Sequence, residues 1–196
     1  MHALITQSDD MLRCALATAQ QGEGALRVAL EALPAPIYMT DADGVITFFN
    51  THCVGFAGRR PAVGKDRWCV TWKLYTEDGE FLPHDKCPMA VAIANKQAVR
   101  GLSAVAERPD GTRVTFTPFP TPVFDGGGGL IGAVNLLLDV TEIRQIADLR
   151  SQAERCRRLA EGAGDCLTLD TLATMAAEYE AKAVDLEANL PVFPTS

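Results

Sequence analysis

The stretch LPAPIYMTDADGVITFFN (33–50) decides the fold. Two apolar runs, PIYMTD (36–41) and VITFFN (45–50), flank the pair Asp43-Gly44. Asp-Gly between apolar runs is a strong hairpin signal, because glycine accepts positive φ at no steric cost. The same pair recurs at Asp78-Gly79, Asp110-Gly111 and Asp125-Gly126. Further strand-like runs are AVRGLSAVAE (98–107), TRVTFTPF (112–119) and LIGAVNLLLDV (130–140). Pro118, Pro120 and Pro122 remove ladder donors, so the fourth strand is expected to end by about Phe119. Between the second and third runs lie helical stretches. THCVGFAG (51–58) is short and apolar on one side, and CPMAVAIAN (87–95) carries proline in its first turn, where the missing N–H does no harm. The order of strand, strand, helices and three strands predicts an α+β domain: a five-stranded antiparallel sheet with helices on one face.

Outward from this segment the periodicity changes. Residues 8–33 predict a helix, with Ser8 as N-cap, a face of Leu12, Ala15, Ala19, Leu26, Leu30 and Leu33, and a break near Gly22 and Gly24. Pro34 and Pro36 end it. Downstream, Ile146, Leu149, Ala153, Cys156 and Ala160 step by threes and fours, as do Leu172, Ala176, Tyr179, Ala183, Leu186 and Leu190. This narrow seam predicts two helices, with Thr168 as the cap of the second. They form either a hairpin or an extended coiled-coil arm. The expected organisation is an N-terminal helix (1–33), a central domain (34–141), a helical extension (142–190) and a tail (191–196).

The chain has 196 residues, 47% hydrophobic, with a net charge of −7. Disorder along the whole chain is excluded. An acidic balance argues against nucleic acid as a partner, since phosphate binding needs a basic surface. No apolar run approaches the roughly 20 residues of a membrane span, so no membrane insertion is expected. The opening MHALITQSDD lacks the pattern of a secretory signal, and a cytoplasmic location is expected. Six cysteines without a Cys-x-x-Cys pair are expected to be free thiols.

The central segment resembles the PAS domain family over about residues 34–142. The features that match are the hairpin turn between Asp41 and Gly44, Asn50 at the close of the second strand, Pro109-Asp110-Gly111, and Asp139-Val140-Thr141 at the end of the last strand. The resemblance implies a sensory fold, and at Asp139 and Thr141 a signal relay into the helix that follows. Read by itself, that motif caps the next helix.

In one reading the domain holds a ligand cavity, and candidates for its lining are Met39, Phe48, Asn50, Phe56, Trp68, Trp72, Met89, Phe116 and Asn135. Trp68 and Trp72, four apart, share a side if their turn is helical. They either roof a cavity or close a dry core. Asn135 interrupts an apolar strand and needs a partner, in a ligand or in a neighbouring strand. Some PAS domains bind haem through a histidine on the helix that starts near His84. His84 precedes that helix here, so haem is not expected, and His84 with Cys69 and Cys87 is only a weak metal candidate. Around Cys53 the string Asn50-Thr51-His52-Cys53-Val54-Gly55 lacks the Arg and Gln of the flavin-binding branch, which excludes a covalent flavin photoreceptor. A thiol sensor would need an exposed cysteine of lowered pKa.

No nucleophile elbow, kinase motif set or dinucleotide fingerprint is present. The expected protein is a non-enzymatic, stand-alone bacterial PAS signalling protein. It acts as a homodimer and through contact with another signalling protein, such as a kinase or regulator, with Leu172, Ala176, Tyr179, Ala183 and Leu186 on the contact helix. A small ligand modulates it in one reading. In the other it is a ligand-free adaptor.

Overall fold

In the computed structural model, residues 10–12 and 23–188 are described, and the chain divides into two units, Met1–Asp139 and Val140–Ser196. Ser8, Cys14, Ala15, Ala19, Gly22 and Leu190 lie outside the described residues.

The first unit is built on the hairpin of β1 (Ile37–Asp41) and β2 (Ile46–Phe49). Asp41 makes the turn by accepting the N–H groups of Asp43 and Val45 on Oδ1, at 3.0 and 2.9 Å, and Gly44 takes φ +80°. The sheet continues with β3 (Lys73–Tyr75), β4 (Ala104–Glu107), β5 (Arg113–Phe124) and β6 (Leu130–Asp139). Its order is β2-β1-β6-β5-β4-β3, antiparallel throughout.

The sheet therefore has six strands, not five. The added strand, β3, has three residues and only one of them, Leu74, is buried. So short a segment shows no period in the sequence. The run 98–107 supplies strand only from Ala104, because Gly101 takes φ +75° and turns the chain.

The fourth predicted strand does not stop at Phe119. It runs on to Phe124 through three prolines, because they sit two apart. The Pro120 carbonyl accepts the Val99 N–H, on the side away from β6, and residues of one strand two apart face the same side. The missing donors of Pro118, Pro120 and Pro122 would all have faced away from β6, so pairing from Thr117 opposite Leu138 to Thr121 opposite Val134 is kept.

Helices cover both faces of the sheet, not one. On the inner face lie α2 (His52–Ala57) and α3 (Pro88–Asn95), the latter with proline at its start as expected. They pack with Tyr38, Leu74, Phe116 and Leu137 into one cluster. On the outer face lies α1 (Glu23–Glu31), whose Leu26 and Leu30 join Leu12, Ile37, Phe119, Val134 and Leu136. Neighbours Ile37 and Tyr38, or Leu136 and Leu137, divide between the two clusters as strand alternation requires. Burying one such leucine side chain stabilises by about 1.5–3 kcal/mol, so the amphipathic α1 finds its partner in its own sheet.

The second unit holds α4 (Thr141–Glu161) and α5 (Cys166–Ala188). They fold back on each other. Arg150 and Arg157 on α4 pair with Glu187 and Glu180 on α5 at 2.7 and 2.9 Å. Ile146, Ala153, Cys156, Ala176 and Ala183 are buried, and Leu149, Leu172, Tyr179 and Leu186 are half-buried, so the seam read from the sequence is the hairpin's own interface. The cap of α5 is Asp165, which accepts the Thr168 N–H at 2.8 Å, and not Thr168 itself.

Candidate functional site

The inner face carries a buried polar chain. Asn135 on β6 and Tyr38 on β1 stand opposite each other. Asn135 accepts the Phe119 N–H on Oδ1 at 2.9 Å and donates from Nδ2 to the Tyr38 hydroxyl at 3.0 Å. Tyr38 in turn donates to the Trp68 carbonyl at 2.8 Å. Trp68 has φ +68°, a conformation that costs a non-glycine residue roughly 1–2 kcal/mol. Its N–H reaches the Gly44 carbonyl at 2.7 Å, and its ring lies where a Cβ on Gly44 would stand, 2.2 Å away. The β1–β2 turn, the crossing loop and the three central strands are thus fixed to one another. Burial pushes the Tyr38 phenol well above its usual value, followed by the nearby Cys69 and Cys87 thiols. The hydroxyl holds its proton as a hydrogen-bond donor.

The predicted lining residues separate. Phe56, Met89, Phe116 and Asn135 meet on the inner face, with the Phe56 and Phe116 rings edge to face at 5.3 Å. Met39 and Phe48 point to the outer face, under α1. Trp68 packs partly against the inner cluster, whereas Trp72 is 52% exposed. Their turn is not helical, since Trp68 is left-handed, so they form no common roof. Of the two readings of Asn135, the structure shows the neighbouring strands as its partners.

Asn50 lines no inner site. Its Oδ1 accepts the Ile37 N–H at 3.1 Å, and its Nδ2 donates to the carbonyls of Leu30, Leu33 and Ala35 at 3.3, 3.4 and 2.8 Å. It ties the exit of α1 to the hairpin. Tyr38 was not singled out from the sequence. A tyrosine in an apolar strand, opposite an asparagine in another, is the signal that could have found it.

His84 opens a 3-10 turn, His84–Lys86, ahead of α3. Burial lowers its pKa, with the Arg59 charge acting in the same direction. Among the described residues no group of three or more His, Cys, Asp or Glu side chains could hold a metal ion, so His84, Cys69 and Cys87 do not assemble as a site. Cys53, Cys69, Cys87 and Cys156 are buried and free, and Cys166 is exposed. Burial pushes the Cys53 and Cys87 thiols up to about 12, and raises Cys69 too. That is the opposite of what a reactive sensor thiol needs.

Asp139 ends β6, and α4 begins two residues later at Thr141. The N-cap position is Val140, whose side chain makes no capping bond. No helix among the described residues is long and apolar enough to cross a membrane.

A six-stranded antiparallel sheet with its short helices between the second and fourth strands defines an α+β fold. A family model described as the PAS fold matches residues 30–145, more than half of the chain, and the chain belongs to that family. No curated protein matches it. Among solved structures, it is similar to an RNA-binding light-oxygen-voltage receptor, at 19% identity and TM-score 0.46, over 85% of this chain and 37% of that one. This chain thus spans little more than a third of that receptor. It is also similar to the PAS domain of the fruit-fly ELK potassium channel, at 14% identity and TM-score 0.49, over 60% of this chain and 96% of that one. A third is the LOV domain of a blue-light activated histidine kinase from Erythrobacter litoralis, at 20% identity and TM-score 0.43, over 56% and 98%.

Proposed function

We propose that this protein is a non-enzymatic PAS signalling module that acts by protein contact and dimerises through its helical hairpin. The supporting observation is a set of apolar side chains that α4 and α5 leave exposed. Leu167 is 78% exposed, Leu159 57% and Val184 53%, although the hairpin's own seam is already filled. Exposed apolar side chains beyond a satisfied seam suit a second copy or a helical partner such as a kinase's dimerisation segment. One residue separates β6 from α4. A change in the sheet would be passed to the helices as a population shift.

The filled inner face favours the ligand-free adaptor among the two readings. Tyr38, Phe56, Met89 and Phe116 pack there side by side, and Asn135 spends its amide on protein partners. A thiol sensor at Cys53 or Cys87 is not favoured, given their burial and raised pKa.

The test is light scattering after size exclusion on the full chain and on a Leu167→Asp/Val184→Asp variant. The expected result is a dimer for the first and a monomer for the second, with unchanged circular dichroism. A monomeric parent chain across micromolar to millimolar concentration would refute dimerisation. Native mass spectrometry separates sensor from adaptor by a retained small molecule or its repeated absence.

A further inference from the structure

The loop after α2, residues 59–68, holds four basic side chains and one acid, in a chain of net charge −7. That acid, Asp66, is used inside the loop. Its Oδ2 accepts an N–H of Arg59 at 2.7 Å and the Ala62 N–H at 3.0 Å, and Arg59 also donates to the Thr71 carbonyl at 3.3 Å. Arg60, Lys65 and Arg67 remain as exposed cations, and Val63 between them in the chain is exposed too. The loop is fixed to the sheet. Gly64 donates to the Ile46 carbonyl, Ile46 to the Asp66 carbonyl and Trp68 to the Gly44 carbonyl, at 2.9, 2.9 and 2.7 Å, so the loop runs along the edge of β2. Arg60 and Arg67 lie on the Phe49 and Trp68 rings, each 5.4 Å from the ring centre. A guanidinium held on an aromatic face keeps its N–H edge for a carboxylate and has little freedom left to lose.

A fixed patch of one sign selects a partner of the other sign. The chain itself carries such a surface. On α5, Leu167, Asp170, Thr174, Glu178, Ala181 and Asp185 recur at intervals of three and four, all exposed, on the side of the helix opposite the buried Ala176 and Ala183. That face holds three carboxylates and no cation. Nucleic acid fits the loop less well, because the remainder of an acidic chain repels a polyanion.

We propose that the 59–68 loop of one copy receives the acidic face of α5 from a second copy, with Arg60, Lys65 and Arg67 meeting the carboxylates of that face. The contact is reciprocal: each copy offers one loop and one α5, so two identical contacts close the dimer about a two-fold axis. The inference rests on the dimerisation proposed above and names the surface that the hairpin meets.

Light scattering after size exclusion on the full chain, across a concentration series, is the test. The expected result is a dimer that weakens about tenfold or more between about 0.05 M and about 0.5 M salt. Arg60→Glu/Lys65→Glu and Asp170→Lys/Glu178→Lys should each weaken it about tenfold or more with unchanged circular dichroism, and a chain carrying both pairs of substitutions should dimerise again. A dimer indifferent to Arg60→Glu/Lys65→Glu would overturn this contact and leave dimerisation itself standing. A monomeric parent chain would remove both. Failure of the combined variant to recover, or binding of a short labelled DNA strand that Arg60→Glu/Lys65→Glu abolishes, would give the loop to a different partner and overturn the inference.

Discussion

The Tyr38 hydroxyl and the Asn135 amide face each other across β1 and β6 at 3.0 Å, and each is also bound to a third element. Phe119 of β5 supplies the donor on one side, and the Trp68 carbonyl the acceptor on the other. The bonds from Phe119 through Asn135 and Tyr38 to Trp68 all run between protein groups, so removing one member orphans its neighbours.

Asn135→Leu is expected to destabilise the domain by about 2–3 kcal/mol, and Tyr38→Phe by about 1–2 kcal/mol. The double variant should cost less than the sum, because the second deletion removes a group already orphaned by the first. Urea unfolding at constant m-value checks this; strict additivity would show the two side chains to act independently.

Gly44→Ala is expected to be severe. The new methyl meets the Trp68 ring at 2.2 Å, and φ +80° is unfavourable for alanine. In a Trp72→Phe background Trp68 is the sole tryptophan and reports its own environment. Its emission should shift red and become accessible to acrylamide in Gly44→Ala, and stay shielded in the parent.

Asn50→Ala should loosen the junction of α1 with the hairpin. It removes the acceptor for Ile37 and the donor to three carbonyls, a loss of about 2–3 kcal/mol. Amide hydrogen exchange at Ile37 should accelerate well before that of Leu137, which is held by the Pro36 carbonyl instead. Uniform acceleration across the sheet would contradict this local role.

Alkaline pH should unfold the protein through its buried thiols. Cys53 and Cys87 sit at about 12 in the fold against an ordinary 9.0. Raised values mean that the unfolded chain ionises first. Stability is therefore full below about pH 9 and declines from there to about pH 12, by roughly 1.4 kcal/mol per pH unit for each thiol. The Tyr38 phenol acts in the same direction above its own ordinary value. Denaturant midpoints at pH 7, 9 and 10.5 should be level and then fall, and Cys53→Ala should shallow the fall.

Turn chemistry made most of this fold readable. Asp43-Gly44, Asp78-Gly79, Asp110-Gly111 and Asp125-Gly126 all lie at chain reversals, and the helical seam from Ile146 to Leu186 is buried or half-buried as its spacing implies. The errors have physical causes. Proline counts against a strand only if its missing donor faces a partner, and the side it faces depends on pairing that lies outside the local sequence. The spacing of Trp68 and Trp72 has meaning only on a helix, and Trp68 is left-handed. The polar chain through Tyr38 depends on β1 and β6 being neighbours, though 97 residues separate Tyr38 from Asn135.

The alternating prolines of β5 have one more effect. Past Phe116 the strand has outrun β4; Thr117 to Pro120 are buried, with the Val99 N–H and the Arg100 guanidinium on the Pro120 carbonyl, and the outer margin is accessible only from Thr121 onward. A stray extended chain arriving there would meet Pro122, which offers a carbonyl but no N–H group, and could not zip on. The spacing that lets β5 lengthen within its own sheet thus also guards the protein against runaway self-association at high concentration.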